Sequence, residues 1–535
     1  MEANTEDKFD VNHVDQTDGD EHLVPQKTTT ASELQDVLLL ERPHPWSKNM
    51  ISLYLILIPA YLCSTTNGFD SNTFGGLSAL PSFEAYFDLA MGNTQGLLAM
   101  LYIVGNIIGA LFAGQVADTF GRRYGMALGA ILCIIGAILQ GSAQSVNTLI
   151  PGRIILGMGA LCGGTAAPSY VVEYSHPAYR GVMGGMYQTL FFSGTILTTF
   201  LEYGFSYVPN SPNWTWRVCM SLQGAPSVIT LALVWFIPES PRWYIAHGDQ
   251  GKARELLVKY HGNGDPNSRI VDLEMRQMIE AIDVNGADKR WYDWRSLFKT
   301  RADRYRMLVI SMVSVFSELD LPPTSYYLPI MVEAAGVTNT HTVLLLNALQ
   351  TPIMLCFALT GLNIIERWGR RPSLMVSSTG MTISVAMITA MTAVTPTHQH
   401  AGIVGILFLY VFLAIFAFFW TPLQALYPVE VLTFANRAKG FAYYGFLNNA
   451  IKIFNTYVPP LAIKKAGWRF YILYIIVDAI GIVCIYFFFP ETKGRNLEEV
   501  EEIFEAKNPV KHSLMKRKAD LVVGAENELQ VRHES

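Results

Sequence analysis

Charged and amide side chains inside long apolar runs are the residues of this chain most able to do chemistry. Asp70 lies near the end of one run, Arg153 opens another, and Glu318, Asp320 and Lys452 sit within two more. An ionisable group at mid-membrane costs about 2.5–3.5 kcal/mol on insertion scales, so each needs a partner or a task. Two helical faces gather amide, hydroxyl and aromatic groups. Gln188 shares a face with Phe191, Phe192 and Thr195, while Asn448, Lys452 and Asn455 recur at i, i+4 and i+7 with Asn449 beside them. A turn with an acid and paired cations occurs twice. Gly114-Gln-Val-Ala-Asp118-Thr-Phe-Gly121-Arg122-Arg123 is echoed by Glu366-Arg-Trp-Gly369-Arg370-Arg371.

The elements that must position these groups follow from composition. Of 535 residues, 51% are apolar and 16% charged, where soluble domains run near a quarter charged. The net charge of −5 excludes a generally basic nucleic-acid binder. Charges concentrate in residues 1–45, 240–306 and 490–535, and the intervening stretches run nearly charge-free for lengths that suit a membrane crossing. Twelve spans are predicted, near 51–71, 94–115, 124–143, 148–169, 182–203, 218–237, 307–329, 342–364, 372–394, 402–426, 441–462 and 468–489. Six spans, a charged linker and six spans form an internal repeat. The expected fold is all-α and integral to the membrane. It has a polar tail at 1–49, six-helix halves at 50–239 and 307–489, a linker at 240–306 and a second tail at 490–535.

Lys and Arg in short loops orient the bundle. Alternate loops hold Arg122 and Arg123, Arg180, the 240–306 segment, Arg367 with Arg370 and Arg371, then Arg437 and Lys439. Arg217, and Lys464, Lys465 and Arg469, run against the trend without reversing it. Both tails and the linker are therefore expected in the cytoplasm, with the first span an uncleaved signal anchor. Asn213-Trp-Thr215 is a glycosylation sequon in an outer loop. The six cysteines lie in or beside apolar spans without metal-site spacing. No Walker loop, GxSxG elbow or HExxH occurs, so neither an enzyme nor a bound cofactor or metal is expected.

Further motifs close the spans. They read Pro151-Gly-Arg153-Ile-Ile-Leu-Gly157-Met-Gly159, Glu173-Tyr-Ser-His-Pro177-Ala-Tyr-Arg180, Pro238-Glu239-Ser-Pro241-Arg242-Trp243, Pro428-Val-Glu430 with Arg437 seven residues on, and Pro490-Glu491-Thr-Lys-Gly494-Arg495. With the repeated Gly-Arg-Arg turn, this set resembles the sugar porter branch of the major facilitator superfamily over about residues 50–505. Trp420-Thr-Pro422-Leu-Gln-Ala-Leu-Tyr427-Pro428 is most similar to the fungal lactose-permease-like subgroup.

The resemblance implies two pseudo-symmetric halves around a substrate path. It implies proton coupling through Asp70 with Arg153 opposite, and substrate contacts from Gln188, Thr195, Tyr326, Tyr327, Trp420, Asn448, Asn449, Lys452 and Asn455. It implies a cytoplasmic charge network of Asp118, Arg122, Arg123, Glu173, Arg180, Glu239 and Arg242, then Glu366, Arg370, Glu430, Arg437 and Glu491, made when the carrier opens outward and broken when it opens inward. The expected activity is proton symport of a sugar or sugar-like compound across the plasma membrane. The proton and the lipid bilayer are its other partners, and nucleic acid is not one. Uncoupled sugar diffusion and carriage of an acidic or glycosylated metabolite are alternatives, and a nutrient sensor is a further one that the short final tail argues against. Span seven departs from the family, which carries Gln-Gln and an Asn ahead of its Tyr-Tyr pair. Here Glu318, Asp320, Pro322 and Pro323 precede Tyr326 and Tyr327, and the prolines should break the helix. Thr195 replaces the family's second Gln on span five, and Ala425 a Trp on span ten.

Overall fold

In hydrocarbon every backbone N–H and C=O must be paired within its own segment, so each apolar run folds as a helix. The computed structural model describes residues 44–77, 80–87, 93–208, 212–286, 294–319, 332, 337, 339–395, 397–433, 436–493, 495, 497–515, 519–523 and 529–533. The first half holds α1 (Lys48–Leu77), α2 (Asn93–Thr119), α3 (Arg122–Gly141), α4 (Val146–Tyr174) and α5 (Arg180–Phe205). Its last span, α6, is broken into Pro212–Leu222 and Ala225–Leu233. The second half holds α7 (Arg301–Leu319), α8 (Thr340–Trp368), α9 (Arg370–Val394), α11 (Arg437–Ala466) and α12 (Tyr471–Phe488). Between α9 and α11, α10 runs Gln399–Ile415, passes through one π turn at Phe416–Trp420 and continues as Thr421–Val431. Tyr326, Tyr327, Asp320, Pro322 and Pro323 lie outside the described residues.

Nine of the described helices are long and apolar enough to cross a membrane by composition alone. Over their described residues α5, α7 and α11 are not among them, and these carry Gln188, Glu318 and Lys452. Helices this polar are stable in a bilayer only when their polar faces turn inward.

Within the first half α1 packs on α5, and α4 on α2 and α3. Within the second, α9 packs on α10 and α12, and α7 on α11. The halves meet where α2 crosses α11 and α5 crosses α8. At the predicted outer end Ser206 hydrogen-bonds His341 Nδ1 at 2.9 Å, and Tyr207 stacks on the same ring with centroids 4.3 Å apart. Leu344 of α8 joins the core formed by Phe74, Leu77, Phe83 and Trp216 of the first half.

The linker folds into helices Pro241–Ala246, Gln250–Tyr260 and Arg269–Gly286. The first two rest against α4 and α1 respectively, and Asn49 Nδ2 donates to Asn263 Oδ1 at 2.8 Å. In the final tail, Leu497–Glu505 packs on α7, and a small antiparallel hairpin pairs Ala519–Val523 with Leu529–His533 outside the helical bundle.

Candidate functional site

The repeated Gly-Arg-Arg turn builds the same clasp twice. Gly121 precedes α3 and Gly369 precedes α9, at φ +109° and +102°, a region that only glycine enters without strain. Each opens a helix N-terminus on which a carboxylate settles. The backbone N–H of Arg122 donates to Glu239 Oε1 at 2.9 Å and that of Arg123 to Oε2 at 3.1 Å. Arg370 and Arg371 donate likewise to Glu491 at 2.9 and 3.0 Å. A carboxylate there satisfies orphan donors and meets the positive end of the helix dipole.

The flanking contacts are mirrored too. Arg122 Nη2 meets Glu173 at 3.0 Å, and Arg370 Nη2 meets Glu430 at 2.7 Å with Nε adding a second bond. Ser240 donates to Glu173, and Thr492 to Glu430 at 2.6 Å. Tyr170 and Tyr427 donate to the carbonyls of Pro238 and Pro490 at 2.9 and 2.8 Å. Arg123 caps the Trp235 carbonyl and Arg371 that of Tyr486. Asp118 adds a contact to Arg122 at 3.3 Å.

These described pairs lie inside one half or the other. The expectation that they break as the carrier opens inward would require contacts within one half to separate. Arg180 meets Glu274 of the linker at 3.2 Å. Of Glu366 and Arg437 only the helical backbone is described, and Arg242 lies in the linker's first helix beside the clasp.

Arg180 belongs to a buried cluster that sequence reasoning missed. His261 bridges Glu274 through Nδ1 and the Tyr174 carbonyl through Nε2, and His176 faces it with ring centroids 5.2 Å apart. Burial, then His261 and Arg180, hold the His176 imidazole down to about 4, with Glu274 pulling the other way. Glu274 lies below its ordinary range, where His261 and Arg180 outweigh its burial. A folded value below the ordinary 6.5 means that an undocked His176 takes up a proton which the docked one refuses. Thermal stability of the purified protein should therefore fall as pH drops from 6.5 toward 4, and His176→Asn should flatten that slope. An identical slope in the variant would remove His176 as its source.

Deeper in the first half, Asp70 and Arg153 are both fully buried and interact electrostatically across the α1–α4 contact. Arg153 Nε donates to the Leu98 carbonyl at 3.2 Å, and its guanidinium lies 4.8 Å from the Phe74 ring centre and 5.6 Å from that of Tyr102. The Cys133 thiol approaches Asp70 Oδ2 at 4.0 Å, and Asp70 Oδ1 has no hydrogen-bond partner among the described residues.

In the second half Lys452 pairs with Glu318 at 3.4 Å. The Glu318 carboxylate is covered and hydrogen-bonded by Asn448, while the Lys452 side chain is 46% exposed. Asn455 Nδ2 donates to the Glu318 carbonyl at 2.5 Å and its Oδ1 accepts from Tyr474 at 2.8 Å. Asn449 returns a bond to its own helix at Gly445.

The remaining sequence candidates divide. Gln188 is exposed, whereas Thr195 is buried against α1, bonded to Asn72 at 3.1 Å and to the Gly68 carbonyl at 3.2 Å. Trp420 is fully buried in the core of its half. Asn213 is exposed in the first turn of α6. Two carboxylates escaped sequence reasoning although the rule that marked Asp70 covers them. Glu202 on α5 and Asp478 on α12 are fully buried.

Two six-helix halves with a clasp in each, and ion pairs between helices of the same half, are the architecture of a multi-pass membrane protein. Residues 56–504 match the model of the family described as "Sugar (and other) transporter", and the chain belongs to that family. It is 28% identical over 475 residues to a high-affinity glucose transporter of Kluyveromyces lactis, covering 85% of this chain and 86% of that protein. It is 26% identical over 492 residues to a quinate permease of Neurospora terricola, covering 87% and 91%. Among solved structures it shares the fold of the E. coli xylose transporter XylE in an inward open conformation, with TM-score 0.71, 21% identity and coverage of 85% and 100%.

Proposed function

We propose that the protein carries a sugar or sugar-like polyhydroxy compound across the plasma membrane together with a proton, by alternating access between its two halves. The observation that carries this reading is the Asp70–Arg153 arrangement, a carboxylate and a guanidinium fully buried within one half. In this reading Asp70 takes up the proton as Arg153 withdraws and releases it as Arg153 returns. Family membership and the glucose-transporter relative support the substrate class. The clasps support rigid motion of each half, which alternating access requires. The test is uptake of a labelled sugar panel into proteoliposomes with and without an inward proton gradient. Uphill accumulation only with the gradient is expected. Equilibration regardless of pH would make the protein an uncoupled carrier, and no uptake of any sugar would overturn the substrate class.

A further inference from the structure

We infer that Glu318 sets the charge of the substrate this protein accepts, by neutralising Lys452 where α11 faces the path between the halves. The inference rests on the proposed role as a carrier of sugar-like compounds and names the neutral class within it.

The argument begins with the internal repeat. Ser64 of α1 donates to the Tyr187 carbonyl of α5 at 2.6 Å, and Ser314 of α7 donates to the Tyr444 carbonyl of α11 at 3.1 Å. These bonds are equivalent in the two halves. The same offsets set Gly68 against Glu318 and Thr195 against Lys452. In the first half this crossing is closed by a hydroxyl on a carbonyl, Thr195 to Gly68 at 3.2 Å. In the second half the same place holds an ion pair at 3.4 Å. A crossing that packs without charge in one half does not need charge to pack in the other.

The arrangement within the pair points the same way. Glu318 is the covered member, fixed by Asn448 and by the Asn455 bond to its own carbonyl. Lys452 is half exposed, and α11 crosses α2 of the other half, its next residue, Ile453, packing against a cluster that includes Tyr102 and Ile103. In this inference the exposed ammonium is the part of α11 that a ligand between the halves would meet. Alone it would attract anions. With a carboxylate 3.4 Å away its field is largely cancelled, and an arriving carboxylate meets like charge directly behind the cation. Hydroxyl groups face no such penalty, since they can accept from the ammonium and donate to the carboxylate.

D-glucose and D-glucuronate test this cleanly, because they share a ring and differ by a CH₂OH replaced with a carboxylate. Proteoliposomes of the full chain should take up labelled glucose and exclude labelled glucuronate by at least about tenfold. Glu318→Gln should raise glucuronate uptake at least about tenfold, and Glu318→Gln with Lys452→Gln should abolish that gain. The double variant also controls for folding, being neutral like the wild-type pair. If Glu318→Gln fails to reach the membrane, the charge exchange Glu318→Lys with Lys452→Glu must keep glucuronate excluded. Wild-type uptake of both sugars at similar rates, a folded Glu318→Gln that still excludes glucuronate, or a folded exchange variant that admits it would overturn the inference. A wild-type protein that carries no sugar at all would instead overturn the functional reading on which it rests.

Discussion

Asp70→Asn is expected to bring substrate accumulation down to simple equilibration while leaving exchange of substrate across the membrane. The substitution keeps the shape of the side chain and removes only the ionised state, so it stands in for a permanently protonated acid. Asp70 is wholly buried, and the interacting Arg153 is itself secured by the Leu98 carbonyl and the Phe74 and Tyr102 rings. Binding and exchange do not need a proton to come and go, but uphill movement does, because the gradient is tapped only when the group cycles between two protonation states. The measurement is counterflow and pH-driven uptake in the same vesicles. Accumulation equal to wild type would make Asp70 a structural residue and remove the basis for coupling.

Gly68→Ala should cost most of the folded protein. A Cβ at this position would lie 1.8 Å from the Phe191 carbonyl oxygen of α5, a backbone atom with nowhere to turn. The reciprocal contact is as tight, since a Cβ on Gly194 would lie 1.9 Å from the Thr65 carbonyl. Without a hydrophobic drive between helices in lipid, such close approach is a main source of association. Forcing α1 from α5 would also stretch the bonds from Ser64 to the Tyr187 carbonyl, between Asn72 and Thr195, and between Thr73 and Thr198. Gly185→Ala on α5 is the matched control, as a Cβ there meets nothing within 4 Å and alanine favours the helix. Size-exclusion profiles and thermal midpoints of the two variants should diverge, with several-fold lower folded yield only for Gly68→Ala. Equal yields would show that the α1–α5 contact tolerates separation.

The twelve spans and the two clasps were legible because each depends on local signals, namely apolar length for a span and a Gly-Arg-Arg turn for a clasp. The partner of each turn was harder to foresee. Glu239 and Glu491 read as members of an ion-pair network, whereas they serve helix N-termini through backbone donors, which no side-chain type announces. The Glu274 partner of Arg180 was not legible either, because it comes from a linker helix whose docking depends on tertiary packing. Lys452 and Glu318 pair, which is one way to meet the cost of isolated charge in a span. Thr195 shares its helical face with Gln188, yet that face is partly covered by α1, so one residue is open and the other closed. Helical periodicity tells which residues align, not where along the helix a neighbour leaves off. Glu202 and Asp478 were legible by the rule applied to Asp70 and were passed over because no motif drew attention to them.

The mirrored clasps have a mechanical consequence. Each ties the start of one helix to the end of its half's last helix through a carboxylate, as a keystone closes an arch. Load on one of the clasped helices is thus passed to the others. In the proposed alternating access, strain would collect at the two seams, α2 on α11 and α5 on α8, which would slide as the path changes sides. Friction at those seams would set the turnover rate, and the grip on the cargo would be set elsewhere.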